Sequence, residues 1–343
     1  MIVFSVGPLG PLAAWCDAAI ARIVETGIGP VAVMGADTPD DVAASLIRST
    51  APHLVIASRH PSEQLRRMLA EAGGSVIVAL DLPVRALHEL VVGYGNDPLN
   101  AVRVVADSYA AALVCAGFPT AAVIAADHPR TDPGTVADII AGCCGLPGQG
   151  GQAGLPPLSD NAALVDAWWA ALDPADRAVA EGALGAYAGW LRGEGLGQIV
   201  WDRRLFCRAS DPASHAGVAI DIGDTPAPLV LGPWIGLPPG NWAASVTIAV
   251  SKETDGTAFD ITMYGGAESV LLARASIVPD GRRFGSATLL FTVAPASGQT
   301  ISFVISNTVP APGGRLAMGN VVLTPSPAEG SGVPAELTTA LSL

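Results

Sequence analysis

The stretch Leu229–Val250 constrains the fold most strongly, because its apolar residues recur with a period of two around an obligatory turn. Between positions 242 and 250 the larger apolar residues occupy even positions, which places their side chains on one face of a β-strand. The preceding Pro238-Pro239-Gly240 cannot continue a strand, because proline lacks an N–H donor and has a fixed φ. The stretch therefore predicts a β-hairpin whose second strand buries Trp242 in a hydrophobic core.

The same period of two extends across residues 198–325. About ten short alternating segments are separated by Gly, Pro and Asp-Gly turns, and no helical pattern interrupts them. This arrangement is typical of an antiparallel β-sandwich. The sequence therefore predicts an all-β C-terminal region.

Two segments of this region carry a resemblance to a known architecture. The sequence GPWIGLPPGNW, from Gly232 to Trp242, resembles the hairpin that opens jelly-roll β-sandwiches in carbohydrate-binding modules and in proteins of bacterial surface-polysaccharide synthesis. Gly314–Leu323 resembles the last strand of a jelly roll. The resemblance implies an antiparallel jelly-roll sandwich that binds a glycan or a partner protein.

Residues 1–147 follow a different pattern. Short and almost uniformly apolar segments, such as Val31–Met34 and Val76–Leu80, alternate with segments of helical periodicity. Strands buried on both faces belong to parallel sheets that are covered by helices on each side. We therefore predict an N-terminal α/β domain with a mainly parallel sheet in three layers.

Three parts of this N-terminal region resemble the sulfotransferase family, a branch of the P-loop fold. They are Val3–Gly7 followed by Ala14-Trp15, the segment Val76–Pro83, and the segment Asp132–Pro147. The resemblance covers residues 1–147, which are about two-fifths of the chain and about the length of one domain. It implies a P-loop-derived fold that holds a phosphosulfate nucleotide after its first strand.

The nucleotide-binding loop departs from that family's pattern. Pro8-Leu9-Gly10-Pro11 stands where the family has basic and hydroxyl residues, and the two prolines remove N–H donors that would cradle a phosphate. Asp81 lies near the position of the family's phosphate-binding arginine and would repel a phosphate. We therefore predict a degenerate domain that binds no nucleotide and uses no cofactor.

Composition divides the chain into five parts. Residues 1–147 form the α/β domain, and residues 148–160 form a linker rich in glycine and proline. Residues 161–197 have helical periodicity and form a connector, residues 198–325 form the sandwich, and residues 326–343 form a flexible tail.

Charge and composition argue against several classes of function. The formal net charge of −13 disfavours nucleic acid as a partner. Five cysteines without a CxxC motif and five scattered histidines predict neither a metal site nor a disulfide framework. The N-terminus has no basic segment of a signal peptide, and turns interrupt the most apolar run. We expect a cytoplasmic protein without a membrane span.

A first candidate site consists of Arg59, Ser62, Arg66 and Arg67, between a strand and a helix N-terminus. Basic side chains beside free helix N–H groups favour anion binding. The alternative is that Ser62 caps the helix and the arginines lie on a solvated helix face.

A second candidate site lies in the predicted sandwich. Trp234 and Trp201 have the indole rings needed to stack on a sugar, although buried sandwich tryptophans are equally common. Asp221 and Asp224 are available to sugar hydroxyls, although acidic residues in turns are commonly only solvated.

The chain has no G-x-S-x-G motif and no Ser, His and Asp order typical of a hydrolase. We therefore hypothesise a non-catalytic accessory protein of bacterial surface or exopolysaccharide biosynthesis, which binds polysaccharide or a partner protein of its synthesis through the sandwich. One alternative is an active transferase with an anionic donor near Arg59, Arg66 and Arg67. Another is a structural subunit that assembles, as a homo-oligomer for example, through its sandwich edges.

Overall fold

The computed structural model describes residues 1–326 except 127–132, 156, 159–160, 217–218, 255, 267, 280–282 and 295–299. It contains a parallel five-stranded sheet with helices in its N-terminal part and antiparallel sheets in its C-terminal part. The predicted fold class is therefore confirmed. The predicted tail lies outside the described residues from position 327 onwards.

The N-terminal strands and helices alternate along the chain. The strands are β1 (Ile2–Val6), β2 (Val31–Gly35), β3 (His53–Ser58), β4 (Val76–Leu80) and β5 (Ala121–Ala125). They lie in the order β2-β3-β1-β4-β5, and every pair is parallel. The helices are α1 (Pro11–Gly27), α2 (Pro39–Arg48), α3 (Glu63–Ala72), α4 (Pro83–His88), α5 (Pro98–Ala116) and α6 (Pro133–Cys143). A π-helical turn, Glu89–Gly93, follows α4.

Local sequence signals account for several helix starts. Thr38 accepts a hydrogen bond from the backbone N–H of Asp41, and the Asp41 carboxylate accepts one from the backbone of Thr38, which forms a complete capping box. Ser62 caps α3 by accepting from the backbone N–H of Leu65. Five of these helices also carry a proline in their first turn, where the missing N–H leaves no helix hydrogen bond unmade. They are α1, α2, α4, α5 and α6.

The two faces of the parallel sheet are covered differently. On one face, Leu12, Ile20 and Ile140 from α1 and α6 pack against strand residues such as Val3 in a cluster of their own. On the other face, the cluster that starts at residues such as Val6 continues through α5 into the C-terminal region.

Helix α5 is the central element of this second face. Among the described helices it is the one long and apolar enough to cross a membrane by length and composition, with a mean hydropathy of 1.3. However, 67% of that apolar window is buried inside the protein. Buried residues such as Tyr109 pack in the shared core, so burial accounts for the apolar composition of the helix.

Two further helices, α7 (Ala162–Ala171) and α8 (Pro174–Leu191), precede the sandwich. The ring of Tyr187 in α8 lies 5.5 Å from the ring of Tyr109 in α5, measured between centroids. Helix α8 also contacts the first sandwich strand, so it packs against both parts of the molecule. The five-part division of the chain stays a prediction.

The remaining strands form two antiparallel sheets. One has the order β13-β12-β15-β10-β7-β8, and the other has the order β6-β17-β11-β16-β9 with β14 paired to β11. Their bounds are β6 (Ile199–Trp201), β7 (Cys207–Arg208), β8 (Asp211–His215), β9 (Ile220–Asp221), β10 (Pro228–Gly236), β11 (Gly240–Val250), β12 (Phe259–Gly265), β13 (Val270–Ile277), β14 (Phe284–Val293), β15 (Thr300–Asn307), β16 (Arg315–Met318) and β17 (Val321–Pro325).

The turn predicted at Pro238-Pro239-Gly240 joins β10 to β11, but the predicted hairpin is wrong. Strand β10 pairs with β7 and β15, whereas β11 pairs with β14, β16 and β17, so the chain crosses from one sheet of the sandwich to the other at this turn. Trp242 is 1% exposed in the core, and its indole N–H donates to the carbonyl oxygen of Pro238 at 3.0 Å. The predicted burial of Trp242 is therefore confirmed.

Candidate functional site

A cleft of about 550 Å³ lies where α5 faces the edge of the sandwich formed by β7, β8 and the end of β10. Polar side chains dominate the α5 wall, and a tryptophan, two histidines and small residues complete the lining. The lining residues are His60, Asn100, Arg103, Val104, Asp107, Cys207, Pro212, Ala213, His215, Pro233 and Trp234.

Trp234 presents its ring at this cleft. Its side chain is 47% exposed, whereas each of the other six tryptophans, all of them among the described residues, is buried or only partly exposed. The backbone of Trp234 has a φ of 57°, in the left-handed region that a bulky residue rarely adopts. Such strain concentrates at functional sites, because only the surrounding structure can maintain it.

The neighbouring backbone explains how the ring is placed. Gly232 has a φ of 120° and precedes Pro233 through a cis peptide bond. A β-carbon at Gly232 would lie 3.4 Å from the Trp234 ring, so the ring rests against bare backbone. This glycine therefore supports the position of the indole.

Helix α5 is tied to the sandwich by two polar contacts. The Asp107 carboxylate accepts a hydrogen bond from the backbone N–H of Gly236 at 2.5 Å. Arg103 donates from Nε and Nη2 to the carbonyl oxygen of Leu205, at 3.2 and 2.7 Å. These contacts fix two polar side chains of the cleft wall and hold the two walls together.

His60 lies between two side chains of α5. Its Nε2 is 2.7 Å from Oδ2 of Asp107, and its Nδ1 is 3.2 Å from Oγ of Ser108. The hydrogen bond that His60 donates to the Asp107 carboxylate raises the pKa of His60 above its ordinary value of 6.5, against the opposing effect of burial. The charged form of His60 is therefore favoured by its neighbour.

The loop that carries His60 is held by one carboxylate. Oδ1 of Asp37, which follows β2, accepts from the Ser58 hydroxyl and from the backbone N–H groups of Arg59 and His60 at 2.6, 2.9 and 2.8 Å. Three donors on one oxygen fix this loop at the carboxyl end of β3. Parallel α/β sheets place their ligand sites at this edge.

A second, smaller cavity of about 130 Å³ adjoins the cleft and shares His60 and Val104 with it. It is lined mainly by apolar residues of the loop after β1 and of α5, together with a few polar groups. The lining residues are Pro8, Leu9, Arg59, His60, Leu90, Val104, Val105 and Ser108.

Arg59 is the basic side chain of this smaller cavity. One of its terminal nitrogens, Nη2, pairs with the Asp17 carboxylate of α1. Burial raises the pKa of Asp17, against the opposing effect of the Arg59 charge. The other terminal nitrogen, Nη1, is buried and has no hydrogen-bond partner among the described residues.

The structure does not bring the four predicted anion-binding residues together in one cavity. Ser62 caps α3, and Nη1 of the buried Arg66 donates to the carbonyl oxygen of Pro61. Arg67 is exposed and pairs with Glu63 at 3.0 Å. Arg59 alone of the four lines either cavity.

The four predicted glycan-binding residues are also dispersed. Trp234 lines the cleft, but Trp201 is fully buried in β6 and has no ring surface available to a ligand. Asp221 is exposed and pairs with Arg315 at 3.0 Å, and Asp224 is exposed. None of these three lines either cavity.

Sequence reasoning missed most of the cleft. Asn100, Arg103 and Asp107 recur at helical spacing in a long apolar segment, and this polar stripe is the signal that indicates a functional helix face. His60 lies 48 residues from Ser108, so only the fold brings the two together. Within the described part of the chain, no group of three or more His, Cys, Asp or Glu side chains is placed to hold a metal ion.

No family model matches the chain, and no curated protein matches it. Among solved structures, the chain is similar to a family 16 carbohydrate-binding module, with 15% identity, a TM-score of 0.23 and coverage of 30% of this chain and 72% of the module. It is also similar to the C-terminal CBM6 of LamC, a marine laminarinase from Zobellia galactanivorans, with 15% identity and a TM-score of 0.25. This similarity covers 37% of this chain and 98% of the CBM6 chain.

A cyclase, Fisc from Fischerella sp. TAU, is similar at 21% identity with a TM-score of 0.24, over 32% of this chain and 60% of the cyclase. The chain thus spans about three-fifths of that protein. At these TM-scores the similarities support no argument about ligand or activity. None of these similarities supports the resemblance of residues 1–147 to sulfotransferases, which stays a prediction.

Proposed function

We propose that the cleft between α5 and the sandwich binds a glycan, with the Trp234 ring stacked on a sugar. The observation that carries this proposal is an exposed, strained tryptophan in the wall of a cleft rich in hydrogen-bonding groups. An indole ring offers a large, flat and rigid apolar surface, on which the apolar face of a sugar can pack.

The other lining residues suit the hydroxyl groups of a sugar. Asn100 and His215 supply both donors and acceptors, and Arg103 supplies donors. The cleft volume of about 550 Å³ is within the range of small-molecule sites, roughly 300–1,000 Å³. One or a few sugar units of a longer chain would therefore occupy the cleft.

Within this proposal the protein is an accessory component of bacterial surface-polysaccharide production, in the cytoplasm. The α/β domain would support the cleft without transferring a sulfo group. Pro8 and Pro11 in the loop after β1 support that reading, because they remove phosphate-binding N–H donors. The pairing of Arg59 with Asp17, and of Arg67 with Glu63, does not favour an anionic donor at the predicted arginine site.

Affinity electrophoresis tests the binding. The full chain is run through native gels that contain laminarin, xylan or alginate, which represent a neutral glucan, a neutral xylan and a polyuronate. We expect retardation by at least one polysaccharide and its loss in Trp234→Ala.

The matched control is Phe284→Ala, which removes an aromatic side chain that is 64% exposed on β14 and does not line the cleft. Retardation of this variant should equal that of the wild type. The proposal is wrong if no gel retards the wild type, or if Trp234→Ala and Phe284→Ala are retarded equally.

A further inference from the structure

Ser108, His60 and Asp107 form a contiguous hydrogen-bonded series at the junction of the two cavities. The Ser108 hydroxyl is 3.2 Å from Nδ1 of His60, and Nε2 of His60 is 2.7 Å from Asp107. A neutral histidine that carries its proton on Nε2 donates to Asp107 and accepts from Ser108. These are the roles of a nucleophile, a general base and a group that orients the base.

The positions of these residues suit an ester that spans both cavities. Ser108 lines the small apolar cavity, Asp107 lines the large polar cleft, and His60 lines both. The small cavity has room for a short acyl chain, whereas the large cleft has room for a sugar. An ester bond between the two groups would therefore lie beside His60.

The side chain of Arg59, which can supply a donor for the developing negative charge, lines the same small cavity. Nη1 of Arg59 is buried and has no hydrogen-bond partner in the described part of the chain. A buried cationic N–H group without a partner is costly, unless it has a ligand to bind. Such a group stabilises an oxyanion when an ester carbonyl is attacked.

We propose that Ser108, His60 and Arg59 hydrolyse a short acyl ester, such as an acetyl ester, on the glycan bound in the cleft. The sugar part of this substrate rests on the proposed function, and the ester chemistry does not. Asp107 is a positioning residue, because it acts through His60.

The step balances with water as the co-reactant. Oγ of Ser108 attacks the ester carbonyl carbon while Nδ1 of His60 takes the hydroxyl proton, and Arg59 stabilises the oxyanion. The bond between the acyl carbon and the sugar oxygen breaks, and the sugar hydroxyl leaves with the proton from His60. Water then attacks the acyl group on Ser108, gives a proton to His60, and releases the carboxylic acid as Ser108 regains its proton.

Hydrolysis of p-nitrophenyl acetate by the full chain tests the chemistry without any sugar. We expect Ser108→Ala and His60→Gln to lose about 100-fold or more of the wild-type rate, because each removes a direct participant. The control is Ser45→Ala, which removes another buried helix serine that lines neither cavity and should keep the wild-type rate. Circular dichroism verifies that each variant is folded.

Covalent labelling identifies the nucleophile independently. A fluorophosphonate should modify the wild type at Ser108, as located by peptide mass spectrometry, and should leave Ser108→Ala unmodified. The proposal is overturned if Ser108→Ala hydrolyses the ester at the wild-type rate, or if the label lies on another residue or is absent. Failure of these assays leaves the polysaccharide gels unaffected, and failure of the gels leaves the ester chemistry intact.

The pH dependence of the hydrolysis rate in Asp107→Asn tests the positioning role, because loss of a purely structural contact would not shift it. Asp107, Asp37 and Arg66 are the charged groups that act on the pKa of His60, and the hydrogen bond that His60 donates to Asp107 has the largest effect. Its removal lowers the pKa of His60, so the acid limb of the rate profile should move to lower pH. An unmoved profile contradicts the positioning role.

Discussion

The two faces of the parallel sheet contrast in what covers them. Helices α1 and α6 cover one face with a core cluster that extends to Ala153 of the predicted linker and includes none of the sandwich residues that the structure describes. The other face, covered by α5, belongs to a cluster that runs on through Tyr187 of α8 to Trp201 and Trp242 of the sandwich. Both cavities lie on this shared side, beside α5.

The difference shows where a binding site can arise. Among the described residues, the face under α1 and α6 has no second body beside it, so its helices pack against the sheet alone. Where α5 serves two cores, its apolar side chains face the sheet and the sandwich, and its polar stripe is left in the gap between them. The cleft is thus a consequence of the shared helix, as ligand sites commonly occur where two parts of a protein meet.

The largest expected effect is the loss of stability when a buried side chain of the shared core is removed. Trp242→Ala should lower the free energy of unfolding by about 3–5 kcal/mol, because it leaves a large cavity in a fully buried position. Urea denaturation followed by helical circular dichroism and by tryptophan fluorescence measures it. Since the core is continuous, both signals should shift to the same lower midpoint.

Ile20→Ala, in the self-contained cluster, serves as the comparison for this prediction. It should also destabilise the protein, but at temperatures where the variant is folded it should retain polysaccharide as the wild type does. If Trp242→Ala shifts only the fluorescence signal, the two parts unfold separately and the core is not shared energetically.

A smaller effect is expected at the contact between α5 and β10. A β-carbon at the buried Gly236 would clash with the Asp107 carboxylate and lie 3.2 Å from the side chain of Ala110. Gly236→Ala should therefore cost about 1–3 kcal/mol, as overpacking does, and should weaken polysaccharide retention by moving the cleft walls. A thermal melt and an affinity gel measure the two effects; a variant as stable as the wild type would show that this contact is loose.

Backbone strain at Trp234 predicts a difference of about 1 kcal/mol between two variants, because glycine alone adopts the left-handed region without steric cost. Trp234→Gly should be more stable than Trp234→Ala by that amount, although both lose the stacking ring. Urea denaturation of the two variants provides the comparison. Equal stability would indicate that the backbone relaxes out of the left-handed region when the indole is removed.

The smallest effect concerns pH. Because Asp107 raises the pKa of His60, their interaction contributes stability that is fully present below the ordinary pKa of 6.5. This stability is lost as the pH rises through the higher pKa of the folded state. The stability deficit of His60→Gln relative to the wild type should therefore shrink from mildly acidic to alkaline pH, as melting temperatures would show. A deficit that does not change with pH would contradict the raised pKa.

Local patterns predicted the fold class well. The alternation around Trp242 and the proline turn before it depend on neighbouring residues, and the structure follows them. Trp201 shows the limit of the same reasoning, because an isolated tryptophan in a three-residue strand carries no signal of which face is buried.

The site was much harder to predict. Residues far apart in the chain, such as His60, Ser108 and Trp234, become neighbours of one cavity system only after α5 has docked between the sheet and the sandwich. The arginines after β3 carried a visible charge pattern, but the fold pairs Arg59 with Asp17 and buries Arg66. A charge pattern in sequence does not reveal which partners the fold will supply.

Quenching of tryptophan fluorescence by iodide tests the central claim most directly, because Trp234 is the one exposed tryptophan of the chain's seven, all of which the structure describes. The polysaccharide that retards the wild type should protect its fluorescence from iodide. In Trp234→Ala, quenching should be weak from the start and should not change when that polysaccharide is added. Polysaccharide that binds the wild type without reducing the quenching would contradict stacking on Trp234.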